Sequence, residues 1–175
     1  IDNRTIRIEY MSRNKEKIIR TVTVPQSLDF IEEVVLKLNS IGYETLIVTS
    51  PGKEFDDFKQ RNPNEKTLEV HMERHISLTK DIISLWNMMR VMRNEKPYVA
   101  HSMTPKAGLI TMLAAWLTGV PVRIHTFTGL VWPTATGLKR KILMATDWIT
   151  CACATHIIPE GQGVLDDLKN HNICR

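Results

Sequence analysis

Short β-branched runs alternate with longer amphipathic stretches along almost the whole chain, and this alternation limits the folds open to it. Six runs have the composition of strands: residues 18–24, 44–50, 66–72, 98–102, 122–127 and 155–159. The stretches between them space their apolar residues as helices do: residues 27–41, a short piece near Phe55, and residues 78–94, 105–118, 136–153 and 163–170. Short strands that are apolar on both faces and joined by helices form a parallel sheet covered on both sides. We therefore predict an α/β fold, a doubly wound, Rossmann-like parallel sheet of about six strands with helices on both faces.

Particular residues mark the predicted ends of these helices. Ser27 is placed to cap a helix N-terminus with its side chain, and Pro105 suits a first helical turn. Gly42 and Gly119 lie where helices would end. In the third helical stretch, five residues recur at helical spacing and predict a face packed in the core: Ile82, Leu85, Trp86, Met89 and Met92.

The size and charge of the chain favour one ordinary globular domain. It has 175 residues, of which 43% are hydrophobic and 24% charged. We assign residues 1–17 to an N-terminal extension, either a segment upstream of a start at Met11 or a native edge strand, and residues 18–175 to the domain. A formal net charge of +4 is too small to indicate a nucleic-acid-binding protein. The most apolar stretch, residues 107–117, is shorter than the roughly 18–20 residues that cross a bilayer.

The cysteines and histidines follow no recognised redox or metal-binding pattern. Three cysteines are an odd and sparse set, which favours a reducing compartment, the cytoplasm, over a disulfide framework. Cys151 and Cys153 would point away from each other on a helix, so neither a redox pair nor a zinc site is expected. His71 and His125 lie inside predicted strands and are interpreted as core or rim histidines. The remaining histidines lack metal-ligand spacing, and no metal is predicted.

Polar residues follow several predicted strands, at the edge of the sheet where such folds bind ligands. Nine of them form the predicted substrate cleft: Gln26, Ser27, His101, Ser102, Thr104, Lys106, Thr128, Gly129 and Glu160. If the first and fourth strands are neighbours, Gln26 and Ser27 face His101 and Ser102 across this cleft.

The segment HSMTPKAG (101–108) puts a histidine, two hydroxyls and a lysine on one strand-to-helix turn, where helix N–H groups also favour an anion. In the alternative interpretation, Ser102 and Thr104 cap the helix and Lys106 is solvated. In PEGQGV (159–164), Glu160 either contacts a ligand or belongs to a simple turn. No G-x-G-x-x-G follows the first strand and no G-x-x-x-x-G-K-[ST] occurs, so both common nucleotide-binding fingerprints are missing.

A second candidate surface combines apolar residues with a basic run. Leu130, Val131 and Trp132 precede three cations at the start of a predicted helix: Lys139, Arg140 and Lys141. This segment either meets an acidic lipid surface or is a plain solvated helix end.

Three stretches resemble a known family: IIRTVTVPQSLDFI (18–31), KPYVAHSMTPKAGLITMLAAWLTGVPVRIHTFTGL (96–130) and ITCACATHIIPEGQGV (149–164). They resemble the N-terminal domain of GT-B-type glycosyltransferases of family four, in particular bacterial enzymes of capsular and surface polysaccharide synthesis. The resemblance implies transfer of a sugar from a nucleotide-sugar donor to a glycan or lipid-linked glycan acceptor at the cytoplasmic membrane face. The donor is then a co-substrate, and neither a metal nor another cofactor is expected.

The same resemblance divides the work between two domains. In the family, the N-terminal domain mainly receives the acceptor, and a C-terminal domain binds the donor. The C-terminal domain has no counterpart in these residues. This chain alone is therefore expected to be inactive. The sequence departs from the family at the first turn, which is VPQSL rather than glycine-rich. It also has Met103 and Thr128 where many members carry histidines. Two alternatives stay open: a non-catalytic Rossmann-like module that binds a nucleotide or glycan, and half of a GT-B sugar-nucleotide epimerase.

Overall fold

The computed structural model describes residues 16–73 and 77–174, so residues 1–15 of the predicted extension lie outside the described residues. Six parallel strands form one sheet in the order β3-β2-β1-β4-β5-β6. Their bounds are β1 Lys17–Thr21, β2 Glu44–Thr49, β3 Lys66–Glu69, β4 Val99–Met103, β5 Val122–Phe127 and β6 His156–Pro159. The predicted doubly wound α/β sheet is confirmed, and so is the neighbouring position of the first and fourth strands.

Helices connect consecutive strands. The α-helices of the described residues are α1 Glu32–Ser40, α2 Lys53–Arg61, α3 Leu78–Glu95, α4 Pro105–Leu117, α5 Gly137–Cys153 and α6 Gln162–Asn170. Two short 3-10 helices, Pro25–Leu28 and Trp132–Thr134, lie in the connections after β1 and β5. Pro105 opens α4 as predicted. Gly42 and Gly119 follow the ends of α1 and α4 with φ angles of 102° and 75°, a backbone region that glycine enters without a steric penalty.

The prediction that Ser27 caps a helix is wrong. Ser27 lies inside the 3-10 helix, and α1 starts only at Glu32, after Ile31. Pro25 follows an extended Val24 and opens the 3-10 turn, because its fixed φ suits a first helical position. The chain therefore leaves β1 through a tight, proline-led turn before the longer helix begins.

Helices cover the two faces of the sheet unequally. What we call the first face carries Ile19 and Ala100 and packs against α3, α4 and α5. On the opposite, second face, Val22 and Ile47 pack against α1 and α2. That second cluster extends to β4 at Met103, while Val99, His101 and Ile124 on the same face are only half-buried. Among the described residues, the second face is thus well covered over β1 and β2 and thinly covered beyond β4.

Helix α3 is rotated relative to the predicted core face. Met92 is buried as predicted, and Leu85 and Met89 are partly buried, but Ile82 is 66% exposed and Trp86 57% exposed. The buried side is centred on Met88, with Val91 and the small Ser84 beside it; the Ser84 hydroxyl donates to main-chain oxygens of His71 and Lys80. This small polar residue lets α3 approach the chain after β3, which turns Ile82 and Trp86 outward.

Two of the three cysteines form a disulfide that the sequence argument did not anticipate. Cys151 in α5 is bonded to Cys174, with their Cα atoms 5.7 Å apart. The pair is 23 residues apart in sequence, and it meets because the segment after α6 folds back onto α5, where Ile173 is buried. Cys153 is buried and free, so Cys151 and Cys153 do not form a redox pair, as predicted.

Candidate functional site

The carboxyl ends of β1, β4, β5 and β6 meet at one edge of the sheet, because these four strands are parallel and adjacent. The turns that follow them carry most of the predicted cleft residues. The common rule for open parallel sheets places ligands at this edge, beside the strand at which the order reverses. Here the order reverses between β1 and β4, so the turns after these two strands are the centre of the candidate site.

A network of threonines joins these two turns. The Ala107 amide of α4 donates to Thr23 Oγ1 at 3.0 Å, and the Thr23 amide donates to Thr104 Oγ1 at 3.1 Å. The two hydroxyl oxygens lie 2.7 Å apart, so one hydroxyl donates to the other. One O–H proton of the pair then has no acceptor among the described residues and can donate to a ligand.

The backbone of this turn is unusual at one residue. Thr104 has a φ of 72°, a region that β-branched residues seldom occupy. Such a conformation persists where the surroundings hold it, and it is often found at binding sites. The hydrogen bonds to Thr23 hold Thr104 in place at the mouth of the cleft. Thr23 itself was not among the predicted cleft residues, because the predicted first strand ran to residue 24, whereas β1 ends at Thr21.

The turns after β5 and β6 form an open side of the cleft. Thr128 and Glu160 are exposed, and the Glu160 amide donates to the Phe127 oxygen at 3.1 Å, which ties the second turn to the end of β5. A Cβ atom added to Gly129 or Gly161 would meet no atom within 4 Å. Thr128 and Glu160 are thus exposed beside two glycines that leave open space, and their contact with a substrate stays a prediction.

The turn after β1 is filled by its own residues. Pro25 is buried, and a Cβ added to Gly52 would lie 2.9 Å from Pro25 Cγ, so the turns after β1 and β2 are in close contact. Gln26 is exposed and donates to Glu54 Oε1 at 2.7 Å, while Ser27 is half-buried. Gln26 and Ser27 lie at the predicted edge, and the turn begins with Pro25, which has no amide N–H to offer a phosphate.

His101 points to the second face rather than into the turn. Its Nε2 lies 2.9 Å from Thr126 Oγ1, and burial lowers its pKa to about 3, with the neighbouring Arg20 cation contributing. His101 is therefore neutral near pH 7. In this arrangement the imidazole is a fixed neutral group below the cleft rather than a free base at its edge.

Ser102 is not a cleft residue in this structure. Its side chain is fully buried on the first face, where its hydroxyl lies 2.8 Å from His125 Nδ1. His125 is 1% exposed, and with this hydrogen bond its burial confirms the interpretation of His125 as a core histidine. The same burial lowers its pKa to about 4. A Cβ added to Gly108 would lie 2.5 Å from the His125 ring, so the glycine of HSMTPKAG makes room for this imidazole. Because side chains alternate between the two faces along a strand, the adjacent residues Ser102 and His101 must face opposite sides of the sheet.

Lys106 is neither free for an anion nor solvated, contrary to both interpretations. Its Nζ lies 2.8 and 2.7 Å from the two carboxylate oxygens of Asp81, and both side chains are largely buried. The ion pair joins the first turns of α3 and α4. Lys106 thus has a structural role, because a second anion would have to displace Asp81.

The predicted membrane surface is only partly exposed. Trp132 is 1% exposed, with its ring 4.7 Å from that of His171 and 5.6 Å from the Arg140 guanidinium, so it cannot enter a lipid interface. Lys139 and Lys141 are exposed and Arg140 is half-buried. Trp132 is therefore a core residue of the cluster around α6, and the basic run remains a surface feature.

Arg20 is a buried cation that the sequence analysis missed. It is 6% exposed on the second face beside His101, and its Nε has no hydrogen-bond partner among the described residues. Burial lowers its pKa to about 10, and Met103 Sδ is 3.4 Å from its NH2 group. The period-two pattern of Ile18, Arg20 and Val22 was a signal that Arg20 shares a face with two apolar residues.

Two other features lie apart from the cleft. A cavity of about 580 Å³ lies against the amino-terminal end of β6 and is bordered by Trp148, Thr155 and Cys174, far along the strand from the candidate site. Within residues 16–73 and 77–174, no group of three His, Cys, Asp or Glu residues is arranged to hold a metal ion. No helix in the same ranges is both long and apolar enough to cross a membrane.

Comparisons with known proteins show which family and which relatives this chain is similar to. Residues 29–173 match the family model described as "Glycosyl transferase 4-like domain". The chain is 34% identical over 160 residues to the capsular polysaccharide biosynthesis glycosyltransferase CapM of Staphylococcus aureus, covering 91% of this chain and 41% of CapM. It is 33% identical over 89 residues to the UDP-Gal:alpha-D-GlcNAc-diphosphoundecaprenol alpha-1,3-galactosyltransferase of Escherichia coli, covering 49% of this chain and 22% of that protein. The chain thus spans less than half the length of these relatives.

Solved structures of low sequence identity share the fold. A UDP-N-acetylglucosamine 2-epimerase superposes with a TM-score of 0.70 at 16% identity, over 91% of this chain and 46% of the epimerase. MurG of Acinetobacter baumannii superposes with a TM-score of 0.57 at 15% identity, over 83% of this chain and 41% of MurG. These similarities establish half of a GT-B architecture and carry no information on the reaction. Taken with the match over residues 29–173, they lead to one assignment: the chain belongs to the glycosyl transferase 4-like domain family.

Proposed function

We propose that the chain is the acceptor-side domain of a glycosyltransferase of bacterial surface polysaccharide synthesis. The observation that carries the proposal is the 34% identity to CapM over 91% of the chain. A sugar is moved from a nucleotide-sugar donor to a glycan or lipid-linked glycan acceptor, and the remainder of a longer protein supplies the donor site. The epimerase alternative rests on a likeness in fold at 16% identity and is not favoured by any residue of the cleft.

The chemistry of the cleft suits an acceptor. Thr104, Thr128 and Glu160 offer hydroxyl and carboxylate groups that hydrogen-bond to sugar hydroxyls, and the open space at Gly129 admits a ring against the backbone. Their contribution to catalysis is the orientation of the accepting hydroxyl. The filled turn around Pro25 supports placing the donor phosphates outside this domain. The donor is a co-substrate, and we propose that transfer needs no metal.

The acceptor is proposed to be lipid-linked. The Escherichia coli relative is named for an acceptor that carries a diphosphoundecaprenol group. By analogy, we place this protein in the cytoplasm, in peripheral contact with the inner face of the cell membrane. The exposed basic residues Lys139 and Lys141 near the cleft support this placement.

Binding of a short-chain prenyl diphosphate-linked N-acetylglucosamine tests the proposal. Protein-observed NMR of the 175-residue chain should show shifts at Thr104, Thr128 and Glu160. Thr128→Ala and Glu160→Gln should each weaken binding by about three- to tenfold, because each removes one hydrogen-bonding group. Glu33→Gln, an exposed acidic residue of α1, is the matched control and should leave binding unchanged.

Two results would overturn the proposal. One is tighter binding of UDP-galactose than of the acceptor analogue by this chain, since the donor site is assigned elsewhere. The other is release of nucleoside diphosphate by this chain alone when donor and acceptor are both supplied, since a transition state between two domains needs contacts from both.

A further inference from the structure

The disulfide between Cys151 and Cys174 joins two parts of the chain that other contacts already hold together. Cys151 lies near the end of α5, and Cys174 lies in what we call the return segment, residues 171–174, which follows α6. The Ile173 amide donates to the Leu168 oxygen at 2.9 Å, so main-chain hydrogen bonding turns the return segment back along α6. The turn therefore does not need the bond between the sulfur atoms.

Apolar packing fixes the return segment in the same place. Ile173 is 6% exposed and Leu168 is 1% exposed, and both belong to the buried cluster that contains Phe127 and Trp132. Because burial of these side chains favours this position without a covalent bond, Cys174 stays beside Cys151 when both are thiols. A second thiol held this close has a high effective concentration, so the disulfide closes readily within the molecule.

Small molecules can reach this disulfide from solvent. Both of its cysteines are half-buried rather than enclosed, and both border the cavity of about 580 Å³ beside the amino-terminal end of β6. The lining of this cavity also includes the small, exposed side chains of Ala152 and Thr155. Thiol–disulfide exchange requires an attacking thiolate to reach a sulfur atom, and the open cavity provides that access.

The third cysteine takes no part in this pair. Cys153 is 7% exposed, its thiol is free, and it packs in the core of the first face. Burial raises the pKa of this thiol, which keeps it in the less reactive protonated form. Residues two apart on a helix do not face each other, so Cys153 cannot replace Cys174 as the partner of Cys151. The two bonded cysteines therefore form a self-contained site.

We propose that Cys151 and Cys174 are a reversible redox modification site, which reacts with small-molecule thiols and disulfides and locks the return segment onto α5 when oxidised. The inference rests on the proposed function for the compartment in which the site works, the reducing cytoplasm. Disulfides in that compartment are usually transient and redox-sensing rather than structural. The location of the site rests on the packing and exposure of the two cysteines.

The reaction is thiol–disulfide exchange with oxidised glutathione. The thiolate of one cysteine attacks a glutathione sulfur, the glutathione S–S bond breaks, and one glutathione thiol leaves as a mixed disulfide forms. The second cysteine attacks the protein sulfur of this mixed disulfide and releases the other glutathione. The two protein thiols are oxidised, and the two released glutathione thiols carry away their electrons and protons. Reduced glutathione reverses both steps.

Titration of the 175-residue chain with glutathione tests the site. As the ratio of oxidised to reduced glutathione rises, acid quenching, alkylation and mass spectrometry should count three free thiols at first and one at the end. Reduced and oxidised starting material should reach the same curve. Cys153→Ala is the matched control and should form the disulfide at the same ratio. Cys151→Ser and Cys174→Ser should each accumulate at least tenfold more glutathione adduct than the parent, because no second thiol displaces the glutathione.

Hydrogen exchange tests whether oxidation locks the return segment. The Ile173 amide should exchange at least tenfold more slowly in the oxidised parent than in the reduced parent, and the Val35 amide of α1 should exchange equally in both. Cys151→Ser should exchange at the reduced rate in both buffers.

Three results would overturn the proposal: a disulfide that survives excess reduced glutathione in the folded chain, one that does not form in oxidised glutathione, and equal exchange of the Ile173 amide in the two forms. All of these measurements are made without donor or acceptor. If any of the three occurs while the reduced chain still binds the acceptor analogue, the proposed function stands and only the redox site is wrong.

Discussion

At the scale of single residues, the buried carboxyl group of Asp147 has the clearest thermodynamic consequence. Burial raises its pKa to about 7, and the indole N–H of the neighbouring Trp132 opposes this rise. In the unfolded chain the pKa returns to its ordinary, lower value. Between those two values the folded protein holds a proton that the unfolded chain releases, so the free energy of unfolding falls as pH rises from about 4 to about 7 and then changes no further through Asp147.

Asp147→Asn should therefore stabilise the protein in a pH-dependent way. The amide has the shape of the protonated acid, so at about pH 4, where Asp147 is protonated in the folded state and about half protonated in the unfolded chain, the variant and the parent should unfold at similar urea concentrations. At about pH 8 the parent must bury a charge, and the variant should be more stable by on the order of 2–4 kcal/mol. Urea unfolding at both pH values measures this difference. An equal difference at the two pH values would show that Asp147 is not the titrating group.

The two buried histidines have the opposite pH dependence and do not disturb this comparison. The pKa values of His101 and His125 are lowered to about 3 and about 4, chiefly by burial. Their contribution is complete above the ordinary histidine pKa and is lost as pH falls toward the folded values. Because both histidines are present in the parent and in Asp147→Asn, their effect cancels in the difference between the two proteins.

At the scale of elements, the hydroxyl of Thr23 connects the turn after β1 to the start of α4. Thr23→Val keeps the shape of the side chain but removes the acceptor of the Ala107 amide and the partner of Thr104. The loss should be about 1–2 kcal/mol, because one buried amide is left without a partner at a helix N-terminus. Urea unfolding at about pH 7 measures it. Thr79→Val, at an exposed site in α3, is the control, and a Thr23→Val protein as stable as that control would contradict the assignment.

At the scale of the whole molecule, the uneven covering of the second face leaves one charge unbalanced. Arg20 lies on β1, at the border between the part of the second face that α1 and α2 cover and the part that no helix of the described residues covers. No carboxylate in those residues pairs with it. A buried cation without a partner lowers stability, and an apolar side chain of similar length avoids that cost.

Arg20→Met should therefore raise the stability of the 175-residue chain by about 1–3 kcal/mol. Lys17→Met, at the start of the same strand, is the matched control, since Lys17 is paired with Glu44 and Glu95 and its loss should be neutral or slightly destabilising. Thermal and urea unfolding of the three proteins provide the measurement. If Arg20→Met destabilises more than Lys17→Met does, the Arg20 guanidinium makes a net stabilising contact, and the proposed cost of its burial is wrong.

The order of strands and helices follows from local sequence alone. β-branched runs and helical spacing involve residues close together in the chain, and once six such pairs alternate, crossover handedness leaves few arrangements. The six strands, the helix start at Pro105 and the helix ends before Gly42 and Gly119 were all predicted in this way. The role of Thr128 and Glu160 in the cleft stays a prediction.

Which side each residue faces was decided only by packing between distant parts of the chain. Ser102 is buried because His125 on the neighbouring strand meets it, and Lys106 is engaged because α3 brings Asp81 against α4. Trp132 is buried by the fold of α6, and Cys174 reaches Cys151 by the same return of the chain. Helical spacing shows which residues share one side of a helix, but the elements packed against the helix decide which side is buried. This is why Ile82 and Trp86 of α3 are exposed. Local periodicity sets which elements form, and only tertiary contacts choose the face that each one buries.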